Sequence, residues 1–223
     1  MTPVAELQVL RVFIARDGRG GNPLGLFACA GPLPAATRQA VAARLGFSET
    51  VFVVDPARGA LRIHTPAIEL PFAGHPLVGS AWALTEHVLL RTPAGEVVVR
   101  REPGRTWIRA RAEQCPEWDL IELAEPAHVD ALRGDVESSG HACCWAWAEE
   151  AQGIVRVRVF APDYGVAEDP ATGSAAIRLC ASLGRPLTIH QGEASEILVR
   201  PLADGAVELG GRVVRDEVRE EGW

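Results

Sequence analysis

Most of this chain reads as short apolar, β-branched runs broken by turn residues, a pattern that predicts strands. Such runs occupy Leu7–Ile14, Thr50–Val54, Leu61–His64, Val97–Arg101, Thr106–Arg111, Ala142–Ala148, Ile154–Phe160, Glu196–Arg200, Ala206–Leu209 and Val213–Val218. An amphipathic helix is predicted over Pro34–Leu45, with Pro34 in its first turn and Gly46 as its stop. Val78–Leu90 and Ala175–Leu183 are different, being apolar around most of a helical circumference. A helix without a polar face needs burial on all sides, so strands are expected to wrap around each of them.

These two helices end segments that answer each other: RIHTPAIELPFAGHPLVGSAWAL from Arg62 and RVFAPDYGVAEDPATGSAAIRL from Arg158. Each reads as arginine, apolar residues, a proline four residues on, an acidic residue and a Pro-x-x-Gly-Ser-Ala helix start. On this pattern Pro66 matches Pro162, Pro76 matches Pro170, and Gly79-Ser80-Ala81 matches Gly173-Ser174-Ala175. The copies lie nearly half a chain apart, which predicts two homologous halves. The expected fold class is α+β, with two pseudo-symmetric halves, each a mixed sheet rolled around a central helix. The polar stretch Arg111–Pro116 marks the expected boundary, giving halves 1–111 and 112–223.

A chain of 223 residues, 48% of them hydrophobic, is long enough to remove about 70% of its unfolded surface from water. All 22 basic residues are arginine. The missing lysine excludes Schiff-base chemistry, including pyridoxal-phosphate enzymes and lysine aldolases, and also phosphate-binding loops and kinases. The net charge of −7, with arginines scattered among acids, argues against a nucleic-acid partner. No apolar run approaches a membrane span. Five cysteines make an odd number without a CxxC pair, and MTPVAELQVLRVF does not read as a signal peptide, so reduced thiols in the cytoplasm are expected. The six histidines show no HxH or HxxxH spacing, so no metal site is expected. Cys143-Cys144 and the tryptophans Trp107, Trp145 and Trp147 read as packing residues.

Candidate chemistry gathers at the repeat loops. Gly74-His75-Pro76 and Glu168-Asp169-Pro170 each sit where an apolar helix begins, and a helix start attracts carboxylates and developing oxyanions. If the halves face each other, His75 and Asp169 lie opposite across one cleft; the plainer alternative is a turn histidine and a capping aspartate. Glu49, between Ser48 and Thr50, precedes a buried strand, where desolvation suits a general base. An ordinary loop glutamate fits the same position. Gly20-Gly21-Asn22-Pro23 reads as a tight turn in which backbone can approach a ligand, with Asn22 the only asparagine in the chain.

Taken together, GNPLGLF (Gly21–Phe27), FSETVFV (Phe47–Val53), RIHTPAIELPFAGHPLVGSA (Arg62–Ala81), EDPATGSA (Glu168–Ala175) and HQG (His190–Gly192) resemble the PhzF-like isomerase and epimerase family, named for phenazine biosynthesis. The resemblance implies the diaminopimelate-epimerase fold, with the site in the cleft between two similar halves. It implies Glu49 as the proton-shuttling glutamate, His75 and Asp169 as its partners around the substrate, and the backbone at Gly74, Gly173 and Ser174 as the holder of a substrate carboxylate. Asn22 joins them as a substrate-binding candidate. The implied activity is a cofactor-independent isomerisation that moves a carbon-bound proton on a small carboxylate, with no metal, in a homodimer. The alternatives are an epimerase acting at one carbon, or a shortened member that binds a ligand or partner without turnover. Racemases of this fold that use two thiols do not match, because Ala73 precedes Gly74 and no cysteine lies in 169–175. The stretch between the GHP and EDP motifs is shorter than in typical members. Trimmed second-half strands are therefore expected to leave the cleft more open, lowering the pKa of a carboxylate base toward about 4.3.

Overall fold

A computed structural model describes residues 4–30, 33–134, 136, 138 and 140–222; Met1–Pro3 and Trp223, at the ends of the two predicted halves, lie outside the described residues. The first part of the chain forms β1 (Val4–Ile14), β2 (Asn22–Phe27), α1 (Ala35–Leu45), β3 (Glu49–Asp55), β4 (Ala60–His64), β5 (Glu69–Leu70), α2 (Gly74–Ala83), β6 (Leu89–Thr92), β7 (Gly95–Glu102) and β8 (Arg105–Ala110). The second forms β9 (Asp119–Glu122), α3 (Pro126–Ala131), β10 (Ala142–Glu149), β11 (Ile154–Ala161), β12 (Val166–Asp169), α4 (Gly173–Leu183), β13 (Leu187–Gln191), β14 (Ser195–Pro201) and β15 (Val207–Gly222).

The repeat is visible in the strand pairing. From β2 to β8 the neighbours run β2–β3 parallel, β3–β4 antiparallel, β4–β6 parallel, then β6–β7 and β7–β8 antiparallel. From β9 to β15 the same succession recurs in β9–β10, β10–β11, β11–β13, β13–β14 and β14–β15. The short strands β5 and β12 hang antiparallel off β4 and β11 in the two copies. Helix α1 corresponds to α3, and α2 to α4. These are the two pseudo-symmetric halves expected from the repeat.

Strand β1 has no counterpart in the second half among the described residues. It pairs with both β2 and β15, and β15 also pairs with β8, so the first half closes into a ring around α2. The second half stays an open roll around α4 that ends at β9. Both helices are central: Gly74–Ala81 of α2 is buried throughout, and in α4 Gly173–Ile177, Leu179 and Cys180 are buried. Leu77, Val78, Ile177 and Leu179 join strand residues of both halves in one core. Burying each such side chain is worth about 1.5–3 kcal/mol.

Several expectations need correction. Helix α2 ends at Ala83, not Leu90, because the Arg101 guanidinium donates to the carbonyls of Ala81, Leu84 and His87 and ends the helix there, after which Leu89–Thr92 turns into strand. Val207–Leu209 and Val213–Val218 belong to one strand, β15, and Ala206 stands just before it. Gly210 and Gly211 do not break it; they make room, since a Cβ would run into the Trp107 ring at Gly210 and lie 2.6 Å from the Phe13 ring at Gly211. The turn before Asn22 ends at Gly21, and Asn22-Pro23 begins β2.

The repeat register also shifts. Gly74 opens α2 and Gly173 opens α4, so Gly173 matches Gly74 and not Gly79. His75 then corresponds to Ser174, while Pro170 stands in the loop before α4 and not in its first turn. The proline match misled because Pro170 corresponds to Pro71 and not to Pro76, each being the first of three residues between a short strand and its central helix. Gly46 stops α1 in the left-handed conformation as expected (φ 70°). Cys143, Cys144, Trp107 and Trp145 are buried, and all five cysteines are free thiols. Among the described residues no helix is long and apolar enough to cross a membrane.

Candidate active site

Glu49 is the first residue of β3, delivered by the Gly46 stop and held in register opposite Leu24 of β2. His75 is the second residue of α2, and its Nδ1 lies 2.9 Å from Glu49 Oε2. Both side chains are withdrawn from water, His75 at 2% exposure and Glu49 at 14%. Asp169 ends β12 in the other half and is also buried.

Residues of both halves hold Asp169. Asn22 Nδ2 donates to its Oδ1 at 2.6 Å, Ser48 Oγ to the same oxygen at 3.3 Å, and Thr172 Oγ1 to Oδ2 at 2.6 Å. Burial and the negative charge of Glu49 push the Asp169 carboxyl up from 3.8 to about 7, against the opposing pull of His75 and of the Thr172 and Asn22 donors. A carboxylate of this kind can hold or release a proton at neutral pH, as acid/base work requires.

The raised value has a consequence for stability. Folded Asp169 keeps a proton that the unfolded chain releases above about pH 4, so the folded state binds more protons between there and about pH 7. Its contribution to stability therefore falls as pH rises through that window, and the penalty is complete above it. Thermal unfolding between pH 5 and 8 should show the wild type losing stability relative to Asp169→Asn, on the order of a few kcal/mol. Parallel pH profiles would contradict the buried-acid account.

The two central helices meet end to end beside these groups. A Cβ on Gly74 would lie 2.8 and 2.9 Å from Gly173 backbone atoms, and one on Gly173 would lie 2.7 Å from the His75 nitrogen. Both positions therefore admit only glycine. Neither helix start has a side-chain cap or an acidic residue in its first turn. The Thr172 hydroxyl, which stands where a cap would be, is committed to Asp169 instead. Two sets of unpaired N–H groups and two positive dipole ends thus converge, an arrangement suited to a carboxylate.

A cavity of about 410 Å³, part of it open to solvent, lies between the halves. Ser48, Glu49, Thr65, Asp169, Thr172 and Ser174 supply its polar groups, and Leu70, Phe72, Ala73, Pro116, Trp118, Tyr164 and Val166 much of its apolar wall. Glu49, Asp169 and Ser174 therefore face one space. Asn22, Gly74, His75 and Gly173 are buried and do not line the cavity, whereas Ala73, Thr172 and Ser174 beside the two helix starts do; Asn22 reaches the site through Asp169. The expected open cleft is not what the structure shows: Asp169 is buried against this cavity, and that burial raises its pKa.

Four participants went unread in the sequence. Trp118 Nε1 donates to Ser174 Oγ at 3.2 Å, and Trp118 packs edge-on to Tyr164 with centroids 6.2 Å apart. Thr172 and Gln191 complete the polar network around Asp169. Thr172 and Gln191 stood inside recognised motifs, but a polar residue beside a glycine looks the same whether it makes a turn or a buried bond. Thiol chemistry has no place here, since Ala73 and Thr172 occupy the positions preceding the helices, and burial pushes the Cys115 and Cys180 thiols up to about 12.

Comparison with known proteins agrees with this architecture. The family model described as phenazine biosynthesis-like protein matches residues 11–140 and 116–200. The trans-2,3-dihydro-3-hydroxyanthranilate isomerase of Pseudomonas fluorescens is 34% identical over 80% of each chain. That of Pseudomonas aeruginosa is 30% identical over 91% of this chain and 86% of its own. A PhzF-family protein of Enterococcus faecalis superposes with a TM-score of 0.81 at 18% identity, covering 99% of this chain and 100% of the other. A hydroxyproline epimerase of Agrobacterium vitis shares the fold more distantly, with a TM-score of 0.64 at 12% identity over 100% and 94% of the two chains. With its motifs, its doubled sheet and its relatives in agreement, this chain belongs to the phenazine biosynthesis-like (PhzF) family of isomerases.

Proposed function

We propose that the protein is a cofactor-independent isomerase that moves a carbon-bound proton on a small carboxylate by general acid/base catalysis. The observation that carries this reading is the convergence of two carboxyl groups, Glu49 and Asp169, on one cavity, each with its own polar support. The substrate carboxylate sits against the facing starts of α2 and α4, where N–H groups and helix dipoles stabilise the charge that develops when the C–H bond breaks. Glu49 takes the proton, steadied by the His75 imidazole at 2.9 Å. The electron pair left behind shifts along the substrate, and the proton returns to a different carbon. Asp169, able to exchange a proton near neutral pH, orients the substrate and balances charge opposite Glu49. The division into halves 1–111 and 112–223 serves this chemistry by supplying one carboxyl group from each side. Five free thiols fit action in the reducing cytoplasm.

The test is incubation in deuterated water with trans-2,3-dihydro-3-hydroxyanthranilate, the compound in the relatives' names, and with other small cyclic carboxylates such as trans-4-hydroxy-L-proline. Deuterium at a carbon that did not carry the original hydrogen is the expected result. Label returned only to the original stereocentre would make the enzyme an epimerase. No incorporation into any of them would overturn catalysis in favour of ligand binding.

A further inference from the structure

The last residue of β13, Gln191, is 1% exposed and spends its whole amide on the Asp169–Thr172 turn. Its Oε1 accepts from the Thr172 N–H at 3.0 Å, and its Nε2 donates to the Asp169 carbonyl at 2.7 Å and to Thr172 Oγ1 at 2.8 Å. An amide nitrogen has two hydrogens, so both are used. A hydroxyl has one hydrogen and two lone pairs. Because Gln191 donates to the Thr172 oxygen, the threonine hydrogen is left to point at Asp169 Oδ2, 2.6 Å away. One side chain thus fixes both ends of the turn and also the direction of the hydroxyl that holds the carboxyl group. The other carboxyl oxygen is held independently by Asn22.

From this geometry we infer that Gln191 is a positioning residue for the reaction, acting on Asp169 through the Thr172 hydroxyl. It does not touch the cavity; its effect is to keep one donor permanently aimed at the carboxyl group that does. A leucine in its place would leave the Thr172 hydroxyl free to rotate and the carboxylate short of a donor. The charged groups facing Asp169 are Glu49 at the start of β3 and His75 in α2, and neither is altered by the change. Losing a hydrogen bond that favours the ionised form leaves burial and Glu49 less opposed, so the carboxyl group should titrate at higher pH.

The assignment rests on Asp169 serving the reaction proposed above, but it can be tested on the ligand-free protein. Carbon-13 NMR of protein labelled at the aspartate carboxyl carbon, with the Asp169 signal identified by its loss in Asp169→Asn, gives the titration midpoint directly. In Gln191→Leu the midpoint should rise by about one pH unit. Thr172→Val should raise it at least as far, Thr172→Ser should keep it near the wild-type position, and Gln191→Leu combined with Thr172→Val should add little to Thr172→Val alone. An unchanged midpoint in folded Gln191→Leu would reduce Gln191 to a structural part, whatever happens to its melting temperature. If that variant does not fold, an unchanged midpoint in Thr172→Val overturns the relay equally. Absence of deuterium exchange with every carboxylate would instead overturn the reaction and leave the clamp standing, so the two failures are distinguishable.

Discussion

Glu49→Gln is expected to lower deuterium exchange by about 10²–10⁴-fold, the contribution typical of a positioned acid/base group. Glutamine has the size and shape of glutamate, so it keeps an oxygen for the His75 Nδ1 contact and leaves the start of β3 undisturbed. What it cannot do is accept a proton from carbon. The same substitution removes one of the two causes that raise Asp169, because the negative charge of Glu49 is gone while burial remains. The Asp169 midpoint should therefore fall even as exchange disappears. An undiminished melting temperature separates removal of the base from general disruption, which would also lower the midpoint by exposing Asp169 to water. Exchange at the wild-type rate would remove Glu49 from its assigned role.

Gly173→Ala should damage catalysis more than stability. The added methyl meets the His75 nitrogen at 2.7 Å and the Gly74 carbonyl carbon at 2.8 Å, where ordinary contact needs about 3.4–4 Å. Leu209 Cδ2, also at 2.8 Å, can rotate away, but backbone atoms cannot. The starts of α2 and α4 must separate by the better part of an ångström. Overpacking of this kind costs about 1–3 kcal/mol, or roughly 5 °C in a chain of this size. The separation also moves His75 relative to Asp169 and spreads the N–H groups meant for the substrate carboxylate. Misplacement of about 1 Å can cost around 100-fold in rate. Gly46→Ala is the natural control: its cost comes from a left-handed φ of 70°, with nothing within 4 Å to collide with. It should lose about 1 kcal/mol by calorimetry and keep its exchange rate. A Gly173→Ala protein that exchanges as fast as the control would show that the helix junction does not hold substrate.

Much of the scaffold was legible because it depends on local patterns. The β-branched runs became strands, Gly46 ended α1, and the helices without a polar face were buried. The two matching segments foretold a doubled sheet whose pairing repeats strand by strand. The errors have a common origin in interactions between distant residues. Gly210-Gly211 looked like a break and is continuous strand, since the rings that need the space come from Phe13 and Trp107. Asn22-Pro23 looked like a turn and begins β2, because β1 lies beside it to accept the pairing. The helix after Gly74 looked long, and Arg101 from β7 ends it at Ala83.

For the site, the sequence by itself determined the inventory: a carboxylate in SET, an imidazole in GHP, a carboxylate in EDP, no lysine amine, and no thiol where a thiol would have to act. Only the tertiary structure decided how these groups share the work. It set His75 against Glu49, stacked Gly74 on Gly173, placed Asn22 behind Asp169 and brought in Thr172, Gln191 and Trp118. The physical reason is that a residue's type is local, whereas its protonation and orientation depend on burial and on donors that approach from elsewhere in the chain. Asp169 and Asn22 are 147 residues apart in sequence and 2.6 Å apart in space, and no pattern along the chain records that distance.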